Sequence, residues 1–133
     1  MLPQILTPSI VQQCLVPQAL ALLSDEEPCA IFYDMEQFKD GLITIRDSFP
    51  VTTLNAVAMK ANPLAACLLV AKELGMGCEV ASPGELQHAL RLGFAPEKIV
   101  MDSPAKTRTD IRTALAAGCC LNADNFEELQ RID

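Results

Sequence analysis

The chain has 133 residues, half of them hydrophobic, and a formal net charge of −7. That length is one domain or part of one, with enough apolar residues for a core. The acidic balance argues against nucleic acid and anionic membranes as partners, and the lack of any run of about 18 apolar residues argues against a membrane span. The first basic residue is Lys39, so the charged start of a signal peptide is missing and a cytoplasmic setting is expected. Six cysteines (Cys14, Cys29, Cys67, Cys78, Cys119 and Cys120) include no CxxC pair and stand beside a single histidine, His88. No metal site is expected from them; they read as reduced, mostly buried thiols.

Residues 1–28 hold Pro3, Pro8, Pro17 and Pro28. They read as a leader or edge-packing segment, with a helix between Pro8 and Ser24 kinked at Pro17. Residues 29–50 follow as a strand over Cys29–Asp34 and a helix over Met35–Phe49, with Phe38, Leu42, Ile45 and Phe49 at helical spacing. From residue 51 onward a rhythm sets in. Val51–Met59 reads as a strand and Pro63–Leu74 as a helix with Leu64, Cys67, Leu68, Ala71 and Leu74 on one face, stopped by Gly75. Cys78–Ser82 is the next strand. The helix Pro83–Leu92 has Ser82 as N-cap, Pro83 in the first turn and Glu85 at the third position, and Gly93 stops it. Lys98–Met101 (strand), Thr109–Ala117 (helix, stopped by Gly118), Cys119–Ala123 (strand) and a helix opening at Asn125 complete the series.

Four strand–helix units with short links predict a parallel sheet, because each helix returns the chain to the same edge. An open doubly wound sheet and a β/α barrel both fit that pattern. No GxGxxG or GxxxxGK[ST] follows the first strand, so the open-sheet nucleotide fingerprint is missing. In a barrel the chemistry gathers at the C-terminal strand ends, which here carry Lys60, Ser82, Asp102 with Ser103, and Asp124 with Asn125. A whole barrel has eight strands and about 250 residues. The expected fold is therefore α/β, a partial TIM barrel of about four of eight units over residues 51–133.

Lys60 ends the apolar run Leu54–Met59 and is followed at once by the turn signal Ala61-Asn62-Pro63. In a low-dielectric mouth an ammonium is disfavoured and the neutral amine becomes a nucleophile; the competing reading is a lysine snorkelling from a strand end. Among the remaining polar residues, Ser82 reads as a helix cap, and Asp124 and Asn125 as caps of the last helix. His88 reads as a surface residue without a partner, Lys106 as a solvated loop lysine or a motif lysine, and Glu26-Glu27 and Glu127-Glu128 as solvated charge. Cys119-Cys120 reads as two thiols in a strand.

Ala58-Met59-Lys60-Ala61-Asn62-Pro63 and Gly77-Cys78-Glu79-Val80-Ala81-Ser82-Pro83-Gly84-Glu85-Leu86 resemble the fold-type III pyridoxal-phosphate decarboxylases, the ornithine/diaminopimelate/arginine decarboxylase group. Pro96–Val100, Ser103-Pro104-Ala105-Lys106-Thr107 and Glu127-Glu128-Leu129 follow in the same order and spacing, so the resemblance covers residues 29–133. It implies an alanine racemase-like N-terminal barrel beginning near Val51, pyridoxal phosphate as cofactor, Lys60 as the lysine of the internal aldimine, and Ala58 and Glu79 as cofactor-lining strand ends. Many members carry aspartate where this chain has Glu79, which shifts the charge by one methylene. The resemblance further implies an amino-acid substrate and a homodimer. It places the phosphate-binding glycine turn and the acid facing the pyridine nitrogen on late barrel strands, so an N-terminal fragment inactive by itself is expected. A non-catalytic regulatory relative and a fold-type III racemase are the alternatives.

Overall fold

The computed structural model describes residues 16–133, so residues 8–15 of the first expected helix lie outside the described residues. Two compact units divide after Gly41, within a helix. In the first unit, α1 (Val16–Leu22) has no buried residue. The strand expected over Cys29–Asp34 does not form: these residues are exposed and carry no strand assignment. Their apolar composition suits a strand, but a strand persists only against a neighbouring ladder, and none of the described residues supplies one. Helix α2 (Met35–Asp47) follows, with Asp34 accepting from the Gln37 amide at 2.9 Å as its cap.

The second unit, residues 42–133, is a four-stranded sheet with β1 (Ala56–Ala58), β2 (Gly77–Val80), β3 (Ile99–Met101) and β4 (Cys120–Leu121) in sequential order, every pair parallel. Helices α3 (Ala65–Glu73), α4 (Pro83–Arg91), α5 (Arg108–Ala117) and α6 (Phe126–Ile132) alternate with the strands. The strands are shorter than the sequence predicts. Residues 50–53 form a turn closed by the Thr53 amide on the Pro50 carbonyl at 2.8 Å, and residues 53–55 carry no strand assignment, so β1 starts only where β2 lies alongside.

Register decides between the two fold readings. Val57, Cys78 and Ile99 are side by side, as are Val80 and Met101. Paired residues of a parallel sheet point to one face, and this face packs on Leu68 of α3, Leu86 and Ala89 of α4, and Ala114 of α5 in a single buried cluster. The opposite face carries Ala58, Glu79, Val100 and Cys120 in one row, all half-buried or exposed. Helices on one face and strands in chain order make a partial barrel wall rather than a doubly wound sheet.

Local chemistry fixes the strands and helices within the second unit. Full burial of a side chain such as Leu86 contributes about 1.5–3 kcal/mol. Ser82 Oγ accepts from the Glu85 amide at 3.2 Å, and Thr107 with Asp110 forms a complete capping box on α5. Gly75, Gly93 and Gly118, with φ of 78°, 77° and 83°, adopt the left-handed turn that stops α3, α4 and α5 without a Cβ penalty.

Candidate functional site

The C-terminal strand ends bring two charged side chains together. β1 ends at Ala58 and passes directly into a 3₁₀ turn, Met59–Ala61, whose first residue is fully buried. The turn lifts Lys60 off the sheet. Ala58 is in register with Glu79 of β2, and the Lys60 Nζ lies 3.4 Å from Glu79 Oε1. The lysine side chain is 62% exposed and the glutamate 15%. The enclosed, low-dielectric mouth expected around Lys60 is therefore not formed by the described residues; the amine is accessible, with a carboxylate beside it. Ala58, half-buried between them, leaves the space above the sheet free of a long side chain.

Three other strand-end polar side chains accept from backbone amides, and the last helix is capped by Asn125 and not by Asp124. Ser82 caps α4, Asn125 Oδ1 accepts from the Glu128 amide at 2.8 Å, and Ser103 Oγ accepts from the Ala105 amide at 3.4 Å. The caps expected at Ser82 and Asn125 are present.

Three expectations change. His88 has a partner: its Nε2 lies 3.1 Å from the Pro63 carbonyl oxygen. Lys106 is no solvated loop lysine. Its Nζ is 2.9 Å from Glu128 Oε2, with side chains 0% and 3% exposed, and it also donates to the Ser103 carbonyl. Glu128 is correspondingly no surface charge, whereas Glu127 is exposed at 87%. The Asp124 amide, donating at 2.8 Å, and then the Lys106 ammonium hold the Glu128 carboxyl below the usual carboxylate range. The missed signal was spacing: Asn125-x-x-Glu128 repeats Ser82-x-x-Glu85, and in both the acid reaches back to the amide just before the cap, Ala81 for Glu85 at 2.6 Å.

The cysteines are free thiols among the described residues. Burial first, then the Glu79 and Glu85 charges, pushes the Cys78 thiol up to about 11. At the opposite ends of the strands a cavity of about 450 Å³ is lined by Arg46, Asp47, Thr53, Asn55 and Met76 among others. Its charged groups are already paired, Arg46 Nε with Asp47 at 2.7 Å, and it lies away from Lys60.

A family model described as the pyridoxal-binding domain of pyridoxal-dependent decarboxylases matches residues 35–133. The chain is 42% identical to a diaminopimelate decarboxylase of Pseudomonas aeruginosa over 76 residues, 56% of this chain and 18% of that protein. With a diaminopimelate decarboxylase of Helicobacter pylori it shares 33% over 103 residues, 76% of this chain and 25% of that protein. The crystal structure of the H. pylori diaminopimelate decarboxylase complexed with L-lysine superposes with a TM-score of 0.71 at 31% identity, covering 75% of this chain and 26% of that one. The chain thus spans a quarter or less of the length of these curated relatives.

Proposed function

The chain belongs to the pyridoxal-dependent decarboxylase family, through its pyridoxal-binding domain, and we propose that Lys60 is the amine that holds pyridoxal phosphate, with Ala58 and Glu79 lining the cofactor. The observation that carries this reading is the accessible Lys60 amine at the end of a parallel strand, 3.4 Å from a carboxylate on the next strand. The residues fit the group. An aldehyde condenses with an exposed primary amine in its neutral form, and Glu79 lies close enough to orient that nitrogen. When bound, the cofactor supplies an electron sink for the carbanion left as carbon dioxide departs. The chain's own residues have simpler tasks. The 3₁₀ turn orients Lys60 above the open face, Glu79 holds its nitrogen in place at 3.4 Å, and Ala58 leaves room beside it.

The reaction we propose for the whole protein is decarboxylation of an amino acid of the ornithine or diaminopimelate type, by a homodimer. The 133-residue chain by itself releases no carbon dioxide from ornithine, lysine or diaminopimelate; clear release would overturn that part. The cofactor assignment is tested by incubation with pyridoxal phosphate, borohydride reduction and peptide mass mapping. A pyridoxyl group on Lys60, lost in Lys60→Arg, supports it; adducts confined to other amines reject it and favour a non-catalytic relative.

A further inference from the structure

We propose that His88 is a positioning residue for Lys60, an inference that rests on the cofactor assignment above. Lys60 stands in a short turn whose upstream end is anchored by buried Met59. Downstream, four residues separate Lys60 from the start of α3 at Ala65. Asn62 is extended there (φ −157°, ψ 98°). Its Oδ1 accepts from the Leu64 amide at 3.1 Å and its Nδ2 contacts Cys67 Sγ at 3.3 Å. Those bonds tie the loop only to its own helix.

His88 ties it to the next unit. A carbonyl oxygen only accepts, so the 3.1 Å contact requires a hydrogen on Nε2. That nitrogen is thereby occupied, which suits a positioning role rather than proton transfer. His88 belongs to α4, the helix that follows β2, and β2 carries Glu79. The β2–α4 unit therefore grips the Lys60 turn at two points: Glu79 on the ammonium, and His88 on the backbone three residues later. The grip is stiff. The Ser82 cap fixes how α4 leaves β2, and Leu86 and Ala89, on either side of His88 in sequence, are 1% and 0% exposed. Rotating α4 so as to carry His88 off the loop would expose both.

The test compares the 133-residue chain with His88→Leu and His88→Gln. Glutamine carries an Nε2–H the same number of bonds from the backbone; leucine carries no donor. Two readouts are taken: amide hydrogen exchange in residues 60–64, and the ratio of borohydride-trapped pyridoxyl on Lys60 to that on Lys39, an exposed lysine of α2. His88→Leu speeds exchange in that loop while β2 and β3 stay protected, and lowers the ratio roughly fivefold, the scale of one hydrogen bond; His88→Gln restores both. Unchanged exchange in His88→Leu, or loss that glutamine does not rescue, overturns the proposal. If the unsubstituted chain shows no preference for Lys60, the cofactor assignment fails separately, and the exchange data alone decide whether His88 orders the turn.

Discussion

Gly77→Ala puts the sheet's close approach to a direct test. Gly77 opens β2, pairs with Ala56, and its amide donates to the Asn55 carbonyl at 2.8 Å. A Cβ there would overlap the Lys98 carbonyl oxygen and lie 3.0 Å from Leu54 Cδ1 and 3.3 Å from the Lys98 carbonyl carbon. The first and last of these are backbone atoms of the residue just before β3 and cannot swing aside as a side-chain tip can. Relief requires β2 and β3 to part, and overpacking of this kind costs about 1–3 kcal/mol or more. Replacing glycine by alanine narrows the unfolded ensemble and returns roughly 0.4–1 kcal/mol. The net expectation is a loss of about 2 kcal/mol. With a urea slope on the order of 1–2 kcal/mol per molar, the unfolding midpoint falls by about 1–2 M. Gly41→Ala is the matched control: it lies inside α2 and a Cβ would meet nothing within 4 Å, so it stabilises by about 0.5–1 kcal/mol. If Gly77→Ala leaves the midpoint unchanged, or raises it as Gly41→Ala does, the packing of β2 against β3 described here is wrong.

Other expectations follow from single contacts. Ser82→Ala removes the side-chain cap of α4 and lowers stability by about 1 kcal/mol in urea titration; no change would mean that the Pro83 and Glu85 contacts suffice. Glu128 has a folded-state carboxyl held below its unfolded value, so its stabilisation is present above the unfolded value and is lost as pH falls through the folded one. The stability difference between the unsubstituted chain and Glu128→Gln therefore shrinks on acidification, and a difference independent of pH would contradict the ion pair with Lys106. Exposed Cys29 and Cys120 alkylate well before buried Cys67, Cys78 and Cys119 in the folded chain at about pH 8, because only the thiolate reacts. Early labelling of Cys78, read by peptide mass, would place it at the surface.

The strand–helix order from residue 51 was legible because each element carries its own local signal. Apolar strands are bounded by Gly75, Gly93 and Gly118, and the caps at Ser82 and Asn125 lie where propensity puts them. What failed needed a neighbour to decide it. Cys29–Asp34 has the composition of a strand, but composition does not reveal whether another strand pairs with it. The partial barrel itself was expected from the polar strand ends and the missing nucleotide fingerprint, and the sequential parallel strand order bears it out. At the site, the juxtaposition of Lys60 with Glu79 followed from the family-like blocks. The burial of Lys106 and Glu128 and the bond from His88 to Pro63 depend on how α4 and α6 fall against loops distant in sequence, and single-residue propensities are silent on that.

The most direct measurement of the Lys60 assignment is the dependence of borohydride-trapped pyridoxyl on pyridoxal phosphate concentration, followed separately at Lys60 and Lys39 in the same sample. Saturation at Lys60, while Lys39 rises linearly, is the result expected of an amine held beside Glu79 at the strand ends. Parallel linear curves at the two lysines would mean that Lys60 is no more than another surface amine, and the cofactor assignment would fall.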